Sequence, residues 1–239
     1  MEITGIVLRL TPFREKDAMV NVISPERIYS FLSRGVLGIA SKNLASVQPF
    51  TLSRLILVKG KEGLMLRSGE AIDSFEKAKV NLSCLGVLSF IGELTGKVLS
   101  NDESVSIYPY LHASLTLLND GFHPLTIALF FFAAILKVSG YGLEVTKCVI
   151  SGARADIGAI SYLDGGFVAK ACFDPLRHVR CDERKLKIIR QIFLAKPDDL
   201  SRVAFEAQEC MEIIGELGIY LEDAAGIRLK SIDLLKRLR

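Results

Sequence analysis

The sequence predicts an α+β chain: a small five-stranded β-barrel, then a mostly helical domain that carries one glycine-rich insertion. Three observations predict it. Residues 2 to 73 contain five short runs rich in Val, Ile, Leu and Phe, separated by turn formers. From Phe75 the apolar spacing becomes helical. Between 147 and 173 that spacing lapses into KCVISGARADIGAISYLDGGFVAKACF. The expected domains are residues 1–74 and 75–239, with the insertion at 147–173.

The five strand segments are ITGIVLRL, AMVNVIS, IYSFLSRGV, FTLSRLILVKG and GLMLRSGEAI. Five strands in so short a stretch suggest a small barrel. The longest break, LGIASKNLASVQP at 37 to 49, has Gly, Ser, Asn and Pro and reads as a mobile loop between the third and fourth strands. In EKAKVNLSCLGVLSFIGELTGKVL, apolar residues at 80, 82, 85, 87, 88, 91, 94 and 98 predict one helix, ended by Asn101, Asp102 and Glu103. VSIYPYLHASLTLLND predicts a second helix broken near its start by Pro109. In HPLTIALFFFAAILKVSGYG, Pro124 suits a first turn, and Gly140 and Gly142 suit the stop. After the insertion, DERKLKIIRQIFLA predicts a helix ending before Pro197. A longer helix is expected from about Asp199 to Leu221, with Asp198 or Asp199 as its cap. A short last helix is expected around LKSIDLLKRL, and the plain reading of it docks Leu234, Leu235 and Leu238 to the core and leaves its charges in water.

Half of the 239 residues are hydrophobic, yet the longest apolar run, IALFFFAAIL at 127 to 136, is closed by Lys137. A bilayer span takes about 20 apolar residues, so a buried core helix is expected there and no membrane partner. MEITGIVLRL lacks the basic segment and long apolar run of a signal peptide. Five scattered cysteines do not form a disulfide framework, which points to a reducing cytoplasm. Net charge is +3, but its distribution is uneven: residues 1 to 61 hold nine Lys or Arg against four Asp or Glu, and the remainder 21 against 23. A second basic cluster, GIRLKSIDLLKRLR, closes the chain. Clustered positive charge on a neutral body suits a polyanion or an acidic peptide, and a solvated helix end is the plainer alternative.

TGIVLRLTPFREKDAMVNVISPER, then QPFTLSRLILVKGKEGLMLRSGEAID, then a helical body with a cysteine-bearing insertion, and finally RLKSIDLL resemble RecO, the bacterial recombination mediators. The resemblance spans nearly the whole chain and rests on order and spacing. It implies an N-terminal OB-fold barrel and a helical C-terminal domain with no catalytic site. It further implies binding of single- and double-stranded DNA, annealing of complementary strands, recognition of the acidic C-terminal tail of the single-stranded DNA-binding protein, and action with RecR to load RecA. The expected setting is cytoplasmic and nucleoid-associated.

A barrel that holds a single strand needs a basic groove to follow the phosphates and aromatic faces on which bases can stack. The candidate phosphate contacts are Arg9, Arg14, Lys16, Arg34, Lys42, Arg54 and Lys59, with Arg27 beside them; Arg34 and Lys42 flank or lie in the long loop. Phe13, Tyr29, Phe31 and Phe50 are candidate stacking faces, for which core packing is the alternative. An acidic tail ending in an aromatic residue wants a cation beside an apolar cavity. Arg228, Leu229, Lys230 and Ser231 are the candidates for that contact.

Many members of the family that the chain resembles carry two Cys-x-x-Cys pairs in this insertion, the ligand set of a zinc ribbon. Here Ser151 follows Cys148 and Ala169 precedes Cys172 where the second and third thiolates belong. The expectation is therefore a degraded, zinc-ribbon-like hairpin without metal, held by Val149, Ile150, Ile160, Tyr162, Phe167 and Val168. The alternative ligand set is Cys148, Cys172, His178 and Cys181. Cys84 and Cys210 read as core thiols.

No phosphate loop, dinucleotide fingerprint, nucleophile elbow or H-E-x-x-H is present, and the three histidines are widely separated, so no enzyme and no cofactor are expected. A protein-only adaptor that binds partner tails with little DNA affinity stays open, because the net charge is modest and the 37–49 loop has few basic residues.

Overall fold

The computed structural model describes residues 1–60, 63–99 and 104–237. The expected stop at Asn101, Asp102 and Glu103, and Leu238, lie outside them.

Five strands, β1 (Glu2–Phe13), β2 (Asp17–Ile23), β3 (Ile28–Ser33), β4 (Leu52–Gly60) and β5 (Gly63–Asp73), close into a barrel in the order β1-β2-β3-β5-β4. All pairs are antiparallel except β3 with β5, which close the barrel in parallel through Leu32 and Met65. Alternation explains the pairing: Val20, Val22, Tyr29, Phe31, Leu55 and Leu57 point inward and are buried, and their neighbours face out. A bulge between Val7 and Arg9 lets β1 serve both sides. Val7 fills the barrel, while Ile6, with Ile23 and Phe50, joins the core of the helical region.

The β3–β4 loop is tied down in its second half. Ala45–Val47 form a turn of 3-10 helix whose Ser46 and Val47 are buried. The Ser53 hydroxyl donates to the Ser46 carbonyl at 2.7 Å, and the Gly69 N–H donates to Asn43 Oδ1 at 3.1 Å. This anchoring corrects the expectation of a loop mobile throughout.

The helical region comprises α1 (Glu76–Val80), α2 (Leu82–Val98), α3 (Ser104–Asn119), α4 (Pro124–Val138), α5 (Glu183–Leu194), α6 (Ala207–Ala225) and α7 (Ser231–Arg237). Helix α4 is its axis: every residue from Thr126 to Leu136 is buried. Among the described residues no helix is long and apolar enough to cross a membrane. The helix expected from residue 76 onward is two, because Asn81 leaves helical geometry and caps α2 by accepting the Cys84 N–H at 3.0 Å. Val80, Leu82 and Leu85 consequently face solvent. Pro109 does not break α3; it lies in its second turn and is exposed, while Ile107, Leu111, Leu115 and Leu118 anchor the helix in the core. The acidic pair 198–199 caps no long helix. Asp199 accepts the Lys196 N–H at 3.0 Å and closes a 3-10 segment, Pro197–Arg202. Helix α6 starts later, after Glu206, and stops at Gly226, whose φ is +69°.

The insertion is a three-stranded sheet of β6 (Ile157–Ser161), β7 (Gly166–Ala169) and β8 (Val179–Arg180) in the order β7-β6-β8. Ile160 and Phe167 belong to the main core, and Val168 packs in a small core with Cys148, Ala159 and Ala169. The Tyr162 hydroxyl donates to Glu216 on α6 at 2.7 Å. Ile150, expected to help hold the hairpin, is 54% exposed.

Candidate nucleic-acid interface

The outer face of the barrel is set by strand register. Thr11 pairs with Met19, Met19 with Leu32, Leu32 with Met65, and Met65 with Val58, so one row of outward residues crosses five strands. Met19, Leu32, Met65 and Val58 are apolar and only partly buried, and Thr11 is exposed. Phe13, 40% exposed, stands at one end of this row. Phe13, Met19, Leu32 and Met65, together with Ser30 and Leu64, line a depression of about 410 Å³. Methionine and aliphatic side chains on a strand face give a flat, adaptable apolar surface.

Cations rim this surface. Arg14 and Arg34 line the depression, and Arg34 with Lys59 lines the open shelf that continues it past Met65. Arg14 occupies the β1–β2 turn at φ +61°, a strained value for a residue with a Cβ, and its guanidinium sits 5.1 Å from the centre of the Phe13 ring. Arg34 ends β3 beside the turn where Asp17 Oδ1 accepts the Gly35 N–H at 2.8 Å. None of Arg14, Arg34 and Lys59 makes an ion pair with a described residue. Arg67 was not among the sequence candidates. It is exposed, and it follows Met65 by the same two residues that separate Arg34 from Leu32 on the parallel neighbour. Nothing in the local sequence announces the parallel closure of β3 on β5 that pairs Leu32 with Met65.

The other candidates lie elsewhere. Arg54 is held between Glu2 at 3.6 Å and Glu70 at 3.3 Å, so its charge is compensated. Lys16 and Lys42 are exposed but line neither hollow; the Lys16 carbonyl accepts the Leu37 N–H at 2.9 Å, which joins the β1–β2 turn to the long loop. Arg27 is at the opposite end of the β2–β3 pair, its guanidinium 4.5 Å from the Tyr29 ring centre. Arg9 lines a second groove, of about 640 Å³, between the barrel and α2. Tyr29 and Phe31 are buried inside the barrel and offer no face to a base, and Phe50, 9% exposed, reaches only the floor of that second groove.

At the C-terminal cluster, Arg228 and Lys230 are exposed, whereas Leu229 and Ser231 are buried. Glu93 on α2 accounts for Ser231: its Oε2 accepts the Ser231 N–H at 2.7 Å and the Ser231 hydroxyl at 2.5 Å, and its Oε1 accepts the Lys230 N–H at 3.0 Å. The Lys97 ammonium bridges Glu93 at 2.7 Å and the Arg228 carbonyl at 2.7 Å. Partial burial pushes the Glu93 carboxyl up, but the bonds from Lys97, Ser231 and Lys230 outweigh it and lower its pKa to about 2.

The four alternative metal ligands have different surroundings. Cys148 accepts the Ser151 N–H at 3.4 Å and packs with Cys172 in the small insertion core. His178 Nδ1 accepts the Asp174 N–H at 2.9 Å, which places the ring proton on Nε2, 3.5 Å from Asp164. Cys181 packs against the main core, where burial raises its thiol to about 11. Among the described residues no three His, Cys, Asp or Glu side chains converge as a metal site. A cleft of about 610 Å³ between the insertion and α5 opposes Lys170 and Arg180 to Asp156, Asp182 and Glu183, which leaves no dominant sign of charge.

The N-terminal model of recombination protein O matches residues 1–75, and the C-terminal model matches residues 81–233. The DNA repair protein RecO of Bacillus cytotoxicus is 28% identical over 245 residues, covering 99% of this chain and 97% of that protein. RecO of Bacillus velezensis is 28% identical over 98% of this chain and 93% of its own length. RecO of Listeria monocytogenes is 24% identical over 98% and 93%. A closed N-terminal barrel, a helical body behind it and two family models that together span both parts lead to one conclusion: the chain belongs to the RecO family.

Proposed function

We propose that this protein is a recombination mediator in DNA repair. It binds single- and double-stranded DNA, promotes strand annealing and, with RecR, helps load RecA on strands coated by single-stranded DNA-binding protein. Its relatives bear the name DNA repair protein. One observation carries the DNA reading: an apolar outer row on the barrel rimmed by Arg14, Arg34 and Lys59, cations without acidic partners among the described residues. On an OB fold this face, between the β1–β2 and β4–β5 turns, is where strands bind.

The mechanism needs no covalent chemistry. Phosphates sit on the rim cations, and bases lie on Phe13 and the Met19–Leu32–Met65 row. Neutralised phosphates on one strand lower the repulsion felt by a second, and bases held unstacked are free to pair with it. A duplex engages the same cations through phosphates alone, which makes its binding weaker and more dependent on salt. Recognition of an acidic partner tail is assigned to Arg228 and Lys230, whose charges are exposed; Leu229 and Ser231 support it by holding α7 in place.

Charge reversal tests the assignment. Arg34→Glu and Lys59→Glu should each weaken binding of a fluorescent single strand by about tenfold. Arg54→Glu should change it little, since Arg54 is already paired. Equal losses at all three positions would mean diffuse attraction and would remove the groove.

A further inference from the structure

The groove between the barrel and α2 is continuous with the proposed binding face. Arg9 pairs with Asn21 and Asn21 with Ser30, an outward row next to the Thr11–Met19–Leu32 row. Ser30 lines the first depression, Arg9 and Asn21 line the groove, and Thr11, paired with Met19, lines the groove as well. Paired neighbours thus line the two hollows, Thr11 and Asn21 the groove and Met19 and Ser30 the depression. Beyond Arg9 the groove has an apolar floor of Leu8, Ile28 and Phe50, and α2 forms its far wall through Ser89, Gly96 and Lys97.

The far wall is open by composition. Gly92 is filled from below, since a Cβ there would stand 3.2 Å from the Phe50 ring, but one turn later a Cβ at Gly96 would meet nothing within 4 Å. Of the two cations that line the groove, Lys97 is paired with Glu93, and Arg9 has no acidic partner among the described residues. Glu93 is occupied by Lys97 and by the N–H groups of α7, so it does not cancel Arg9.

Building on the proposed DNA reading, we infer that a single strand continues from the barrel face into this groove. Arg9 then holds a phosphate and the α2 wall at Gly96 borders the bases, which makes the helical region part of the binding track. An apolar floor beside an unpaired cation suits unstacked bases on a charged backbone, and a duplex, whose bases are enclosed, gains nothing from the floor. The track therefore selects single strands, and it does so through length: short oligonucleotides occupy the barrel face and longer ones also fill the groove.

Oligothymidylates from about 4 to about 16 nucleotides cover the range of site sizes for one OB fold. Their affinities should be measured for the parent, Gly96→Leu and Arg9→Gln, with a thermal melt of each to confirm folding. Leucine at 96 enters open space, and Arg9 is exposed, so both variants should fold. The parent's affinity should keep rising with length after the barrel face is filled. Both variants should match the parent on the shortest oligonucleotides and bind the longest about fivefold to tenfold more weakly. Equal affinity of parent and variants at every length overturns the extension while leaving the barrel site intact. No binding by the parent at any length overturns both. Loss of an acidic peptide, with DNA affinity unchanged, makes the groove a protein site and likewise overturns it.

Discussion

Glu93, in the middle of α2, caps the start of α7 by accepting the backbone N–H of Ser231 at 2.7 Å, across 138 residues of sequence. The contact fixes the C-terminal helix on the wall of the groove and explains why Ser231 is buried inside a basic cluster. Because the carboxyl's pKa falls to about 2 from an ordinary 4.5, its contribution to stability is complete above about pH 4.5 and is lost as the pH falls toward 2. Glu93→Ala should cost about 2 kcal/mol near neutral pH, and Glu93→Gln less, since the amide oxygen still accepts a bond. Urea unfolding at several pH values checks this: the parent should weaken more than Glu93→Gln as the medium is acidified.

Gly69 makes the barrel's contact with the long loop. A Cβ there would collide with the Ser46 hydroxyl and come within 2.8 Å of Leu55 and 2.9 Å of the Ser46 Cβ. Gly69→Ala should therefore destabilise the protein by about 1–3 kcal/mol and expose residues 43–47 to proteolysis. Limited proteolysis with mapping of the first cut reads the effect, and cleavage unchanged from the parent would show the loop to be held by something else.

The barrel was legible because each strand alternates, as in AMVNVIS, where Val20 and Val22 go in and Met19 and Asn21 go out. The helical region was legible where an apolar run was long, as in α4, and misleading where local signals competed. Val80, Leu82 and Leu85 kept helical spacing but face water, because Asn81 restarts the helix and turns the face. Asp198 and Asp199 resemble a cap and close only a 3-10 turn. For the site, basic residues could be gathered from sequence but not sorted. Arg54 differs from Arg34 only through Glu2 and Glu70 on the neighbouring strands, and the Leu32–Met65 pairing exists only once the barrel closes. Ser231 was grouped with the tail-contact candidates because its actual partner, Glu93, is remote in sequence.

Ser151 and Ala169 stand where two thiolates of a ribbon would be, and serine and alanine do not hold zinc. Protein purified without chelators should carry well under about 0.1 zinc per chain by elemental analysis, and chelation should leave its melting temperature unchanged. Close to one equivalent of zinc, lost together with stability on chelation, would contradict this.

The most direct test of the central claim is the affinity for a fluorescent single strand across a salt series, in the parent and in the triple variant Arg14→Gln, Arg34→Gln and Lys59→Gln. The account predicts a steep loss of affinity with salt in the parent, and a slope shallower by about two to three released ions in the variant, in line with about 0.7 per phosphate contact on a single strand. A parent that binds negligibly at low salt, or a variant with the parent's slope, would contradict it and favour a protein-only adaptor.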